Sequence, residues 1–257
     1  MKFPSAILVF LALAAAPAGS AFAVEQQLAD LPFAKKLKLA KAGDLDAVIA
    51  VAEAYEKGLD TKPSMQQAAR WYREAALGGN LDAQYHLAML VQQGAVGVKA
   101  DKTTALKLIA AGAQKGHARS QNQYGVFLEN GDGVAKDDKA AAGWYLKAAE
   151  QGMPEAQNNY GVMVLRGLGV ARNLDEAFKW FSNAAGQNYG WALNNLGGMY
   201  EKGWGTPADL TKAMEYYKMA GEAGINAGQK NYERLQAKQG AGSTTGSTTS
   251  SGGTAGP

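Results

Sequence analysis

The stretch "AQNNYGVMVLRGLGVARNLDEAFKWFSNAAGQN", residues 156–188, decides the fold. Its first half carries one stripe of apolar or small residues at helical spacing, formed by Ala156, Tyr160, Gly161 and Val164. Gly167 closes this half and Asn188 closes a second periodic half, and both residue types accept the left-handed conformation found at helix C-termini. The stretch therefore predicts a helix, a glycine turn, a second helix and a stop.

The same pattern occurs five times along the chain, at steps of 36 or 37 residues. The first helix of each copy ends on a glycine, at Gly58, Gly94, Gly131, Gly167 and Gly203. The second helix carries a bulky residue in the same phase, at Trp71, Leu108, Trp144, Trp180 and Tyr216. One such helix pair cannot bury its apolar face alone, whereas stacked pairs can. The chain is therefore predicted to be all-α, an α/α solenoid (superhelix) of about five helix–turn–helix repeats with capping helices.

The phased glycines, the Trp–aromatic pair and the double alanine of this pattern resemble the Sel-1-like repeat, a relative of the tetratricopeptide repeat. The resemblance extends from about Asp46 to Gly224. It implies repeats over residues 46–80, 81–117, 118–153, 154–189 and 190–225. A segment that resembles a second helix precedes them at 33–44, and a capping helix is predicted to follow them at 226–239.

The two ends of the chain differ from the repeats in composition. Residues 1–23 have one early cation, an apolar stretch and a small-x-small ending, which predicts a signal peptide cleaved after Ala23. An uncleaved membrane anchor is the alternative. With cleavage, the solenoid occupies residues 24–239 with no membrane span, and the protein is expected to be periplasmic or secreted. Residues 240–257 contain only Gly, Ala, Ser, Thr and Pro, which predicts a disordered tail.

Composition and motif content argue against several classes of function. The chain has no cysteine, and its histidines, His86 and His117, lack ligand-spaced partners, so we expect no metal site and no cofactor. The net charge of +3 comes without a basic run, which argues against a nucleic-acid partner. No phosphate-binding loop or serine nucleophile motif occurs. His117 is expected in a solvated loop, and Ser64 is expected to cap the second helix of repeat 1.

Repeats 3 to 5 carry a series of amide side chains near the middle of their first helices. Counting Glu155 as position 1, the series occupies positions 4 and 5 of each helix: Asn122 and Gln123, Asn158 and Asn159, Asn194 and Asn195. An amide has both a donor and an acceptor, so a row of amides suits the backbone of a bound peptide. The alternative is that the amides bond to the adjacent helix. Position 4, and Asn158 above all, is expected to be the more exposed of the two.

Two tryptophans and two cations near the amides complete the candidate partner-binding residues. Trp191 takes a position that is polar in the other repeats, and Trp204 lies in the turn after Gly203. Exposed tryptophan is a favoured binding anchor, although local packing near the C-terminus is the alternative. Arg166 and Lys202 add positive charge at the ends of two first helices.

The resemblance to the Sel-1-like repeat implies a non-enzymatic, exported adaptor that binds a protein or peptide on the concave face lined by first helices. In related carboxylate-clamp domains, an asparagine at the position of Asn159 and Asn195 contacts the ligand. Some envelope members of the family restrain a sensor kinase or help assemble polysaccharide machinery, so the resemblance also suggests an envelope regulator. The alternatives are a protein that binds glycan or peptidoglycan and, less expected, a cell-wall hydrolase, whose relatives are rich in the cysteine that this chain lacks.

Overall fold

The structure, a computed structural model, describes residues 28, 30–95 and 97–244. Over these residues it contains twelve α-helices and no β-strand, so the predicted all-α class is confirmed. The chain divides into two compact units, Met1–Ala100 and Asp101–Pro257.

The first unit contains four helices within its described residues, and each packs against the next along the chain. They are α1 (Phe33–Lys41), α2 (Leu45–Lys57), α3 (Met65–Leu77) and α4 (Leu81–Gln93). Helix α1 lies where the sequence predicts a helix ahead of repeat 1.

The second unit contains eight helices over its described residues, again packed in chain order, with α10 also contacting α12. They are α5 (Lys102–Gln114), α6 (Ala118–Asn130), α7 (Asp138–Glu150), α8 (Pro154–Arg166), α9 (Leu174–Ala185), α10 (Gly190–Lys202), α11 (Leu210–Glu222) and α12 (Asn226–Thr244). Helices α6, α8 and α10 are the first helices of repeats 3 to 5, and α7, α9 and α11 are the second helices.

The helices begin and end at the residues that capping chemistry favours. Ser64 caps α3 by accepting a hydrogen bond from the backbone N–H of Gln67 at 3.3 Å, as predicted. Gly167 ends α8 in the left-handed conformation, with φ of 72°, and Asn188 adopts a φ of 59° after α9. The residues that end the helices in the sequence pattern therefore also end them in the structure.

A glycine on each first helix of repeats 3 to 5 admits an aromatic ring from the second helix. A Cβ on Gly125 would lie 2.7 Å from the ring of Tyr145, and one on Gly161 would lie 2.8 Å from the ring of Phe181. These rings are buried, whereas the preceding Trp144 and Trp180 are only half-buried. Successive helical residues point about 100° apart, so only one of each bulky pair can face the first helix.

Helix α12 lies where the sequence predicts a C-terminal cap but extends to Thr244, five residues beyond the predicted end at Gln239. None of the added residues is a proline, so each keeps the N–H that continues the helix. The predicted signal peptide, residues 1–23, and the tail from residue 245 lie outside the described residues. No helix in the described part of the chain combines the length and the apolarity needed to cross a membrane.

Candidate functional site: the amide ladder and the C-terminal cavity

The asparagines of the second unit form a ladder between the first helices of successive repeats. The position-5 side-chain nitrogen donates a hydrogen bond to the position-4 side-chain oxygen of the preceding repeat. The three rungs are Asn159 to Asn122 at 3.0 Å, Asn195 to Asn158 at 2.8 Å, and Asn231 to Asn194 at 3.1 Å. Bonding to the adjacent helix, one of the two roles expected from the sequence, therefore occurs at each rung.

Asn158 is not the exposed residue that the sequence predicts. Its side chain is buried, with 7% exposure, whereas Asn159 is half-buried. The oxygen of Asn158 accepts a hydrogen bond from Asn195, and its nitrogen lies 3.5 Å from the oxygen of Asn159. The expectation of exposure is wrong because position 4 faces the next first helix in the stack, a neighbour that the pattern of a single helix does not contain. A partner-binding role for Asn158 and Asn159 stays an untested prediction.

A second set of amides, which the sequence reasoning missed, joins the end of a second helix to the first helix of the same repeat. Gln151 donates to the side-chain oxygen of Gln121 at 2.7 Å, and Gln187 donates to that of Gln157 at 3.0 Å. Gln121 and Gln157 are buried at position 3, which was not assigned to the core. The signal was present in the sequence, because each pair recurs with a spacing of 36 residues.

A cavity of about 470 Å³ lies among α8, α10 and α12. Four of the predicted site residues line it together: Asn194, Asn195, Lys202 and Trp204. The other predicted residues lie outside its lining: Asn122, Gln123, Asn158, Asn159, Arg166 and Trp191. Arg166 is exposed, and Trp191 is 52% exposed on α10. The sequence reasoning therefore identified part of this cavity and, in addition, residues that do not belong to it.

Two cations lie near the indole of Trp204, which lines this cavity. The ammonium group of Lys202 lies 4.2 Å from the ring centroid, and the guanidinium carbon of Arg172 lies 6.0 Å from it. Both distances are within the range of cation–π attraction. Trp204 is half-buried against the hydrophobic core of the unit, as the alternative of local packing predicts. The same side chain also lines the cavity.

A polar network joins the cavity wall to the capping helix. Arg234 on α12 donates two hydrogen bonds to the carboxylate of Glu201, at 2.8 and 2.6 Å, and the hydroxyl of Tyr217 donates a third at 2.9 Å. The bonds from Arg234, followed by that from Tyr217, hold the pKa of Glu201 below its ordinary value. Burial, followed by the carboxylate of Glu201, raises the pKa of Tyr217. The charge of Glu201 is thus matched by that of Arg234.

The tyrosine–glutamate contact of this network recurs in two other repeats. The hydroxyl of Tyr72 donates to Glu56 at 2.6 Å, and that of Tyr145 donates to Glu129 at 2.7 Å. Repeat 4 has Phe181 and Leu165 at the same two positions, so the hydroxyl and its acceptor are both replaced by apolar groups. Glu56 therefore has a structural role, because its carboxylate accepts the hydrogen bond of a buried tyrosine.

A second groove of about 540 Å³ is lined by α10 and α11 of repeat 5 and by the end of α9 with the turn that follows it. The rings of Tyr200 and Tyr216 stack there with centroids 5.5 Å apart, and Lys212 lies 5.3 Å from the Tyr200 centroid. None of the predicted site residues lines this groove.

Neither histidine lines either cavity. His86 stacks on Tyr72 with centroids 5.0 Å apart. His117 lies in the connection before α6, as predicted, and is the N-cap residue of that helix, but it is half-buried rather than solvated. Its Nδ1 lies 2.8 Å from the hydroxyl of Ser120. Ser120 is fully buried, so this hydroxyl has no access to a substrate. Within the described residues, no group of three or more His, Asp or Glu could hold a metal ion.

Comparison with known proteins links the repeat geometry to one family model, described as Sel1 repeat. It matches residues 45–80, 81–117, 118–153, 154–189 and 192–225. A comparison with curated proteins found no significant match.

Three solved structures illustrate the similarity. A protective antigen of uropathogenic Escherichia coli with an SLR fold is 30% identical, with a TM-score of 0.71, and the match covers 80% of this chain and 44% of the antigen. This chain thus spans less than half the length of that antigen. A Sel1 repeat protein from Oxalobacter formigenes is 26% identical, with a TM-score of 0.68 and coverage of 78% and 86%. An immunity protein from Pseudomonas aeruginosa is 25% identical, with a TM-score of 0.52 and coverage of 72% and 67%.

Proposed function

Because this chain belongs to the Sel1 repeat family, whose members are generally protein–protein interaction scaffolds, we propose that it is a non-enzymatic scaffold. Its site for a segment of another protein is the cavity lined by Asn194, Asn195, Lys202 and Trp204.

The observation that carries this proposal is the unused bonding capacity of the amide ladder at the cavity. Asn158 and Asn159 use both the oxygen and the nitrogen of their side chains. Asn194 uses only its oxygen and Asn195 only its nitrogen within the described residues. One donor and one acceptor on adjacent residues of the cavity lining therefore remain available.

A free donor beside a free acceptor matches the chemistry of a peptide backbone, which presents C=O and N–H groups in turn. The indole of Trp204 adds a large contact area that costs little side-chain entropy when it is held in place. Preformed pockets of this size, with a few polar groups, are typical ligand sites. A bound segment that lies across α10 would satisfy both amides at once.

We further propose that the scaffold works in the bacterial envelope, as a periplasmic or secreted protein, and regulates a partner such as a sensor kinase or exopolysaccharide machinery. The signal-peptide pattern of residues 1–23 supports export. The exposed Trp191, at 52%, favours glycan or peptidoglycan binding as the second candidate, since an exposed indole suits a sugar ring.

Site-specific photo-crosslinking in the producing cell tests the proposed function. A benzoylphenylalanine in place of Lys202 puts the crosslinker at the cavity, and the same residue in place of Lys218 on α11 is the matched control, because both lysines are exposed. We expect a discrete protein adduct from the first variant and none from the second. Equal adducts from both variants, or an adduct digested by glycosidases and resistant to proteases, would contradict a protein partner at the cavity.

A further inference from the structure

Repeat 5 differs from every other repeat at position 8 of its first helix, where it carries Gly198. The other four repeats have a side chain at this position: Glu53, Met89, Val126 and Val162. Glycine inside a helix costs about 1 kcal/mol relative to alanine, so a glycine at this position needs a reason.

Packing explains the neighbouring glycine but not Gly198. A Cβ on Gly197 would lie 2.6 Å from the ring of Tyr217, so the ring excludes any side chain there. A Cβ on Gly198 would meet only the hydroxyl oxygen of Tyr217, at 3.5 Å, which is ordinary van der Waals contact. The space beside Gly198 is therefore not filled by another part of the described chain.

That space belongs to the cavity of about 470 Å³, which Gly198 lines together with Leu165 and Met199. We infer that Gly198 opens an anchor pocket, which takes one large apolar side chain of a bound peptide with an acidic residue beside it. The inference rests on the proposed function and names the class of peptide that the cavity selects. Apolar anchors in such pockets commonly supply most of the binding energy of an interface.

The acidic residue follows from the charge left over around the pocket. The carboxylate of Glu201 is matched by the guanidinium of Arg234 at 2.6 Å. Lys202 and Arg172, the two cations near the ring of Trp204, make no ion pair within the described residues. A carboxylate next to the anchor meets this positive charge, which raises the association rate and selects against basic segments.

The inference is tested by selecting a phage-displayed library of random dodecapeptides on the wild-type chain and measuring the enriched peptides against variants. Gly198→Met fills the pocket with the residue type that repeat 2 has at this position. Gly143→Met is the matched control, because Gly143 is an exposed helical glycine of α7 with no atom within 4 Å of its Cβ position. Gly198→Val, the residue type of repeats 3 and 4, serves as a second variant if the methionine lowers the melting temperature.

We expect the enriched peptides to share an aromatic or large aliphatic residue next to Asp or Glu. Fluorescence anisotropy with synthetic copies should show an affinity loss of at least about tenfold for Gly198→Met and no change for Gly143→Met. The charge-reversed variant Lys202→Glu should lose affinity for the acidic peptides and bind copies with Lys in place of the acid better than wild type does.

Three results would overturn the inference. Peptides that bind Gly198→Met as tightly as wild type but lose affinity in Lys202→Glu would leave peptide binding at this face intact and exclude the anchor pocket. Enrichment no greater on wild type than on Gly198→Met would exclude the pocket as well, and the crosslinks at position 202 would then decide separately whether a protein binds there. Enriched peptides without an acidic residue would exclude the charge selection.

Discussion

Repeats 4 and 5 share one helix–turn–helix structure, but repeat 4 has apolar side chains at positions where repeat 5 has a glycine and two polar side chains. At three corresponding positions, repeat 4 has Val162, Leu165 and Phe181, and repeat 5 has Gly198, Glu201 and Tyr217. The apolar set of repeat 4 includes a ring that is fully buried. The set of repeat 5 lines a cavity and forms hydrogen bonds to Arg234 on the capping helix. Repeats 1 and 3 share the tyrosine–glutamate pair, so what repeat 5 adds to the scaffold is Gly198 and the bond from Arg234.

The same contrast runs through the amides of the two repeats. Asn158 and Asn159 have all their side-chain polar groups engaged, whereas Asn194 and Asn195 each have one group engaged within the described residues. The fully bonded amides of repeat 4 stabilise the stack, whereas the amides of repeat 5 keep one free donor and one free acceptor at the cavity. The candidate site is therefore identified by the amides whose bonding differs between the two repeats, rather than by the amide positions that the repeats share.

The largest effect is expected where the two repeats agree. Gly197→Leu forces a side chain into the ring of Tyr217, 2.6 Å from the Cβ position, and Gly161→Leu does the same against Phe181 at 2.8 Å. We expect each to lower the free energy of unfolding by about 3 kcal/mol, the upper range for an overpacked core. Urea unfolding followed by circular dichroism measures this loss. A change within about 0.5 kcal/mol in either variant would show that the ring is free to move aside.

The next effect comes from converting repeat 5 to the apolar pair of repeat 4. Glu201→Leu leaves the buried hydroxyl of Tyr217 without its acceptor, which should cost about 2 kcal/mol. Adding Tyr217→Phe removes the hydroxyl as well, so the double variant should recover most of the loss. The half-exposed Arg234 side chain can turn to water in both variants. A double-mutant cycle in urea measures the coupling, and additive losses would argue against a shared network.

The limits of sequence reasoning follow from which contacts are local. The helix boundaries within the repeats, the Ser64 cap and the place of Gly161 in the apolar stripe were predictable, because each depends on spacing within one helix pair. The burial of Asn158 was not predictable in this way, since the covering residue, Asn195, comes from the next repeat. The tyrosine–glutamate contact could have been found, because repeat 4 replaces both partners together. The place of Gly198 in the cavity lining was missed because Gly197 and Gly198 look alike in sequence, and only the position of the Tyr217 ring distinguishes them.

Two rungs of the ladder, Asn195–Asn158 and Asn231–Asn194, should also differ in how much they stabilise the fold. Asn195→Ala removes the donor to the buried oxygen of Asn158 and should cost about 1.5 kcal/mol, because that oxygen is left without a partner. Asn231→Ala removes the donor to the half-buried oxygen of Asn194 and should cost about 0.5 kcal/mol less, since water from the cavity can replace it. Thermal unfolding of the two variants gives the comparison. Equal losses of stability would mean that water in the cavity does not reach the side-chain oxygen of Asn194.

The ion pair between Glu201 and Arg234 should make the stability of the fold depend on pH. The pKa of Glu201 is lowered in the folded state, so its contribution is fully present above the ordinary carboxyl pKa, about 4.3, and is lost as the pH falls through the folded pKa. At neutral pH, the free energy of unfolding of the wild type should exceed that of Glu201→Gln by about 1 kcal/mol, as expected for a partly exposed ion pair. The urea midpoints of the two proteins should move closer together as the pH falls from 7 through the ordinary carboxyl pKa. A gap that does not narrow would come from the hydrogen bonds of the amide rather than from the lost charge.

The smallest effect separates two adjacent glycines and has opposite signs. Gly198→Ala should raise the free energy of unfolding by about 0.5 kcal/mol, because alanine favours the helix and its Cβ meets only the Tyr217 hydroxyl at ordinary contact distance. Gly197→Ala should lower it, because its Cβ would lie within 2.6 Å of the Tyr217 ring. Urea unfolding of the two variants beside wild type measures both signs. If Gly198→Ala instead destabilises the fold, the glycine is a packing requirement, and the open space beside it is a by-product of folding rather than a pocket kept for a ligand.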